Sequence, residues 1–270
     1  MYRRKMILVA AFLLGLSACG KQNPDHLAES EIIETTESES QQTEIEGAER
    51  VEEEKDSFSR IMTEVKDMWL IFLDYANDVE QYVVTDLDKN GRAELIVSSM
   101  GGTGAYTYSR IFEVNEAHDG LEEVTTDFIE GDSQPDIISF DKQVTVYIDQ
   151  DFVYHYIVED FLKVTPAEYH TVIYDLTLQE GRLSHRALAS KREIYHTEGD
   201  VIVTYEDANG AEITEEAYAA IAETVFADAN RKEQYIWGWQ DLKELKGMSD
   251  EEIRQKLNES YCKWEEVWEQ

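Results

Sequence analysis

Two cysteines, Cys19 and Cys262, are all that the 270 residues contain, too few for a disulfide scaffold or a cysteine-based structural zinc site. Positive charge is also scarce, with 24 Lys and Arg against 58 Asp and Glu and a net charge of −34. Such a surface repels nucleic acid and anionic lipid headgroups and favours cations and basic partners. No apolar run approaches the roughly 20 residues that a bilayer-spanning helix needs. There is no G-x-S-x-G elbow, no catalytic-cysteine context and no fixed-period repeat of the kind that builds a propeller or solenoid. His155, His170, His185 and His196 are too far apart for a zinc helix motif and read as strand or surface residues. Stability must therefore come from an apolar core or from a metal.

At the start, Arg3, Arg4 and Lys5 precede an apolar run, Met6–Leu14, and then the small residues Ser17 and Ala18 ahead of Cys19. The order is that of a secretory signal. "LSAC" (Leu16 to Cys19) resembles the lipobox of bacterial lipoproteins. That resemblance implies residues 1–18 as a cleaved signal peptide and Cys19 as the lipid attachment site, anchoring the chain to the extracytoplasmic face of a bacterial membrane. Removal of residues 1–18 takes three positive charges and moves the formal charge from −34 to −37. The following segment, 19–56, holds thirteen acids against three bases and almost no aromatics. It cannot bury enough apolar surface to offset its ordering entropy and reads as a solvated tether, with a span of roughly 35 Å for a flexible coil.

Residues 57–270 have the length of one sizeable domain. It opens with Phe58, Ile61, Met62, Val65, Trp69, Phe72, Leu73 and Ala76 at three- and four-residue steps, an amphipathic helix. β-branched and aromatic segments follow, beginning with 81–86, 94–99 and 106–114 and continuing from 143 to 205, with turns at "HDG", "QEG", "TEG" and "ANG". That is the pattern of meandering antiparallel strands. Thr214 can cap a helix through Ala229, and "SDEE" (Ser249 to Glu252) is a capping box for a last helix. In that helix Ile253, Leu257, Tyr261, Trp264 and Trp268 share one face and Cys262 lies off it. The expected fold is α+β, a single domain with an antiparallel sheet flanked by N-terminal and C-terminal amphipathic helices.

One loop carries recognisable chemistry. In "DLDKNGRAE", oxygen donors fall at positions one, three and five (Asp86, Asp88, Asn90), Gly91 allows a sharp turn, Arg92 offers a carbonyl, and Glu94 closes the set at position nine. Position twelve is Val97, not the bidentate Glu of an EF-hand, and both flanks read as strand. The loop resembles the strand-loop-strand calcium hairpins of FG-GAP and integrin-type repeats. "DLDKNGRAELIV" is also similar to a D-x-D-x-[DN]-G-x-x-E-L-I-V segment found in secreted proteins and lipoproteins of Gram-positive bacteria, from which Lys89 and Asn90 depart. The competing reading is a plain hairpin, since Asn-Gly between apolar alternations is a strong turn signal. Three acids converging on one tight loop favour Ca2+. The weaker "DANGAE" (Asp207 to Glu212) has Tyr205 at the first ligand position and reads as a turn.

These features lead to an expected lipid-anchored, non-catalytic surface or binding module with one structural calcium and a glycan or protein ligand. Its aromatic clusters "YTY", "VYHY" and "WGW" (Trp237 to Trp239) offer stacking surfaces for a sugar. The alternatives are an extracytoplasmic hydrolase acting on glycan or peptidoglycan through a carboxylate pair, and a structural envelope protein.

Overall fold

In the computed structural model the structure describes residues 57–70, 79–101, 106–127, 143–197 and 199–264. The signal-like segment, Cys19, the acidic tether, Phe72, Leu73, Ala76 and Trp268 lie outside the described residues. All described residues belong to one unit, Glu49–Gln270.

Strands form where apolar and polar residues alternate. A first group is β1 (Val79–Thr85), β2 (Glu94–Gly101), β3 (Tyr106–Val114) and β4 (Leu121–Glu123). A second comprises β5 (Thr125–Thr126), β6 (Gln143–Ile148), β7 (Tyr154–Thr165), β8 (Glu168–Gln179), β9 (Arg182–Tyr195), β10 (Val201–Asp207) and β11 (Glu212–Ile213). After two short helices come β12 (Arg231–Ile236) and β13 (Gln240–Asp241). The strands build two sheets where the alternation suggested one. The five-stranded sheet has the order β13-β1-β2-β3-β4 and the eight-stranded region runs β11-β10-β9-β8-β7-β6-β12, with β5 added to β9 in parallel. Every other pairing is antiparallel.

Alternation gives the five-stranded sheet two apolar faces. One contributes Val83, Ile96 and Ile111 to a cluster shared with Val146, Ile148, Tyr156 and Leu176 of the larger sheet and with Trp237, the residue after β12. The opposite face, with Tyr82, Val84, Leu95, Val97 and Phe112, packs with Phe58, Ile61 and Met62 of helix α1 (57–64) and with Ile253 and Leu257 of the last helix. Burying one such side chain contributes about 1.5–3 kcal/mol.

The region expected as one helix from Thr214 to Ala229 is instead two, α2 (Glu215–Ala219) and α3 (Ile221–Val225), although Thr214 Oγ1 does accept from Ala217 N at 3.2 Å. Tyr218 packs on Tyr205 and Phe226 on Tyr147, with centroids 5.1 and 4.9 Å apart. Eight residues of unbroken helix would rotate these rings about 80° apart around the axis. The non-helical Ala220 (φ −95°, ψ 7°) separates the two turns and lets both rings reach the sheet.

Helix α4 (Asp250–Trp264) starts at the expected capping box: Ser249 N donates to Glu252 Oε2 at 2.7 Å and Glu252 N to Ser249 Oγ at 3.4 Å. Ile253, Leu257 and Trp264 are buried, Tyr261 is half-buried and Cys262 is exposed. Buried Ser260 accepts from Val84 N at 3.1 Å and donates to Gly238 O at 2.9 Å. Gly238 sits where the chain passes from one sheet to the other, so close to α4 that a Cβ would lie 2.4 Å from Ser260 O. Only glycine fits there.

Candidate metal centre

Thr85 and Glu94 are register partners, so the loop 86–93 is closed at its base by the first rungs of the β1–β2 ladder. Lys89 and Gly91 adopt positive φ, 56° and 82°, which folds the loop back on itself. Glu94 then reaches up into the loop: its Oε2 accepts from Thr85 Oγ1 at 2.9 Å and from Leu87 N at 2.8 Å. Its second oxygen, Oε1, is buried with no hydrogen-bond partner, and so is Asp86 Oδ1. Asp86, Asp88 and Glu94 each bring one carboxylate oxygen within 4.8 Å of the others. They form an acidic group that can hold a metal ion.

Burial, followed by the Asp86 charge, holds the Glu94 carboxyl well above the usual carboxylate range. Asp86 is pushed up to about 6, by burial first; the Lys89 ammonium opposes this and Asp88 reinforces it. Burial also raises Asp88, against the backbone N–H of Asn90. Without a cation these carboxyls resist ionisation together; a divalent ion would supply the charge that solvent cannot.

The side chains of Asn90 and Arg92 make contacts of their own. Asn90 Oδ1 accepts from Arg92 N at 2.7 Å, while its amide donates to Asp88 Oδ2 at 2.9 Å and Glu113 Oε1 at 2.7 Å. To offer its oxygen to an ion, Asn90 would have to turn its side chain. The Arg92 guanidinium pairs with Glu113 Oε1 at 2.9 Å. Glu113 is absent from the loop motif, yet it is the β3 register partner of Glu94 and is buried. Opposed carboxylates destabilise a sheet, and Arg92 with Asn90 offsets that repulsion on the Glu113 side. Sequence alone shows an acid near the end of β3 but not that it stands opposite Glu94, which only the β2–β3 register reveals.

The larger sheet supports the loop from beneath. The Tyr156 hydroxyl donates to Leu87 O at 2.6 Å, and both residues are buried. Lys89 Nζ lies 5.3 Å from the Tyr235 ring centroid and 5.8 Å from that of Trp264, over an aromatic cluster that includes Trp237 and Trp239. Trp237 of "WGW" is thus core, not a sugar platform, and Trp264 of the last helix is core too, both at most 2 % exposed. On the solvent side, Asp88 and Asn90 border a cleft of about 690 Å³ that Glu113, Glu116, Glu122 and Glu180 also line.

The other titratable residues fall elsewhere. "DANGAE" is a turn in which Asp207 Oδ1 accepts from Asn209 N and Ala211 N at 2.8 and 2.9 Å. His155, His170 and His185 stand on β7, β8 and β9, each against a carboxylate: Asp175, Glu168 and Asp127, at 3.0, 3.1 and 2.7 Å. Among the described residues no helix is long and apolar enough to cross a membrane. No family model, no curated protein and no solved structure matches the chain.

Proposed function

We propose that this chain is an extracytoplasmic, lipid-anchored binding module in which the β1–β2 loop holds one structural calcium ion. The observation that carries the metal reading is the pair of partnerless buried oxygens, Asp86 Oδ1 and Glu94 Oε1, converging with Asp88. Buried polar atoms are ordinarily satisfied, and a cation would satisfy both at once. Calcium suits the donors because they are all oxygen and come from one continuous loop, whereas magnesium demands near-ideal octahedral geometry. Zinc is disfavoured by the lack of nitrogen and sulfur ligands. Asp86, Asp88 and Glu94 are the ligands, and the Arg92 carbonyl and a turned Asn90 are available to complete the shell.

A structural role is supported over a catalytic one by position. Glu94 is sealed from solvent and Asp86 nearly so, which leaves a substrate no path to the paired carboxylates. Extracellular calcium modules bind at about 0.1–1 mM, and at saturating calcium such a site adds roughly 1–3 kcal/mol of stability. Isothermal titration with calcium and with magnesium tests this directly. One calcium bound per chain is expected, and equal heats from the two ions would overturn it.

The membrane address rests on the basic-apolar-"LSAC" order at residues 3–19. Two acyl chains on Cys19 would meet the requirement for more than one lipid signal in stable anchoring. Cells fed a palmitate analogue should label the parent and not Cys19→Ala; persistent labelling of the variant would refute the attachment site.

A further inference from the structure

Nine large apolar side chains stand exposed among the described residues, and six of them, Phe161, Val164, Tyr195, Val201, Ile202 and Val203, lie at one end of the eight-stranded sheet. The ladder register puts most of them on one face. Lys163 faces Tyr169, Tyr169 faces Glu193, Glu193 faces Val203 and Tyr195 faces Val201, so Phe161, Tyr169, Tyr195, Val201 and Val203 share a side. The rings of Phe161, Tyr169 and Tyr195 pack in sequence across three strands, with centroids 5.4 and 5.5 Å apart. Ile202 projects from the opposite side, beside Ile194. An apolar patch of this kind on so charged a molecule marks an interaction site.

The patch ends at an open strand edge. β11 pairs with β10 only at Tyr205 and Glu206, and among the described residues no strand lies along the outer side of Val201 to Thr204. That edge reads Val-Ile-Val-Thr, without the lysine or proline that commonly guards an edge strand. The charge of this end is also unlike the rest of the chain. Residues 161–171 and 190–204 hold three bases and four acids. Arg192 is paired with Glu168 at 2.7 Å and Lys191 with Glu193 at 3.1 Å. A second copy can approach here without the repulsion that opposes contact elsewhere, because repulsion from the acidic body decays within about 8 Å at physiological salt.

We propose that β10 pairs antiparallel with β10 of a second copy of this chain, joining two eight-stranded sheets edge to edge about a two-fold axis at Ile202. The register follows from geometry. A two-fold axis perpendicular to the sheet keeps each face continuous, so opposed residues must have the same parity. Centring on Val203 would set Val201 against Tyr205, whose outer side β11 already occupies. Centring on Ile202 sets Ile202 against its own copy, Val201 against Val203 and Asp200 against Thr204. No carboxylate then faces a carboxylate across the pair. The apolar face of one copy runs on into that of the other. This inference does not depend on the metal reading.

Site-directed crosslinking of the full chain tests it. Directly opposed antiparallel residues have Cα atoms about 4.5–5.5 Å apart, within the span of a disulfide. In a Cys262→Ser background, Ile202→Cys should give a disulfide-linked dimer under mild oxidation, well above any band from the Cys262→Ser parent. Thr204→Cys, displaced from its own copy by about four residues along the strand, and Phe152→Cys, exposed but outside the patch, should not. In detergent, Ile202→Lys should sediment as a monomer where the parent is a dimer, with unchanged circular dichroism. Equal crosslinking at all three positions, no dimer at Ile202, or a dimer that survives Ile202→Lys would overturn the proposal. So would a monomeric parent that instead captures an extended foreign peptide along β10.

Discussion

Replacing Asp86 by Asn should make the calcium-free protein more stable while abolishing its response to calcium. In the folded protein Asp86 is pushed from 3.8 to about 6. For a carboxyl whose folded value is raised, the folded state holds the proton more tightly. Stability therefore falls as pH rises from the unfolded value through the folded one, and the whole penalty is present at pH 7. At 1.36 kcal/mol per pH unit it amounts to about 3 kcal/mol. Asn keeps the shape without the charge but accepts more weakly from the N–H groups of Gly91 and Asn90, so the net gain should be about 1–3 kcal/mol. In a chain of this size that raises Tm by roughly 3–8 °C. Calcium at a hundred times its Kd returns about 2.7 kcal/mol to the parent and nothing to the variant, bringing the two back together or reversing their order. Thermal melts at pH 7, in chelator, calcium and magnesium, decide the matter. A fourth set at pH 5 in chelator should show the gap narrowed, because Asp86 in the folded protein then largely carries its proton. An Asp86→Asn protein less stable than its parent in chelator, or a parent raised equally by calcium and magnesium, would refute the reasoning.

Lys89→Met should tighten calcium binding roughly two- to fivefold, the size of one exposed charge interaction, because the Lys89 ammonium already faces Asp86; calorimetry showing weaker binding would count against Lys89 as a competitor for the site. His155 loses some basicity to burial but is raised on balance by the Asp175 and Asp149 carboxylates. Its stabilisation is full below pH 6.5 and is lost as pH rises through the folded value, so urea melts should show the parent's advantage over His155→Gln at pH 5.5 fading by pH 8. An advantage that grows with pH would reverse the assignment.

The hairpin around Asp86 was legible because its information is local: turn chemistry at Asn90 and Gly91 and alternation on both sides set the register without help from distant residues. The partnership of Glu94 with Glu113 was not, because it depends on how β3 aligns with β2, and alternation alone does not define that alignment. For the same reason the strands were recognisable but their division between two sheets was not; period-2 patterning says which side of a strand is apolar, never which strand it faces. β12 was missed because Arg231, Lys232 and Glu233 make its first half polar, as suits the edge strand it proves to be. The helix expected from Thr214 carried a sound cap and helical composition, yet two aromatic anchors eight residues apart prevailed over propensity.

Ser260 has a consequence for the order in which the molecule can be completed. β1 is bordered by β13 only at Gln81 and Tyr82, and the amide of Val84, two residues before the acidic loop, is met by a serine 176 residues further along the chain. A chain emerging from a ribosome or a translocation channel presents Asp86, Asp88 and Glu94 long before α4 exists. Until α4 (Asp250–Trp264) arrives, the strand leading into the loop has a bare edge at Val84. Completion of the strand that leads into the acidic group is therefore a late event of biogenesis, and a chain cut short before Ser260 would carry the acidic loop on a strand whose Val84 amide has lost its partner.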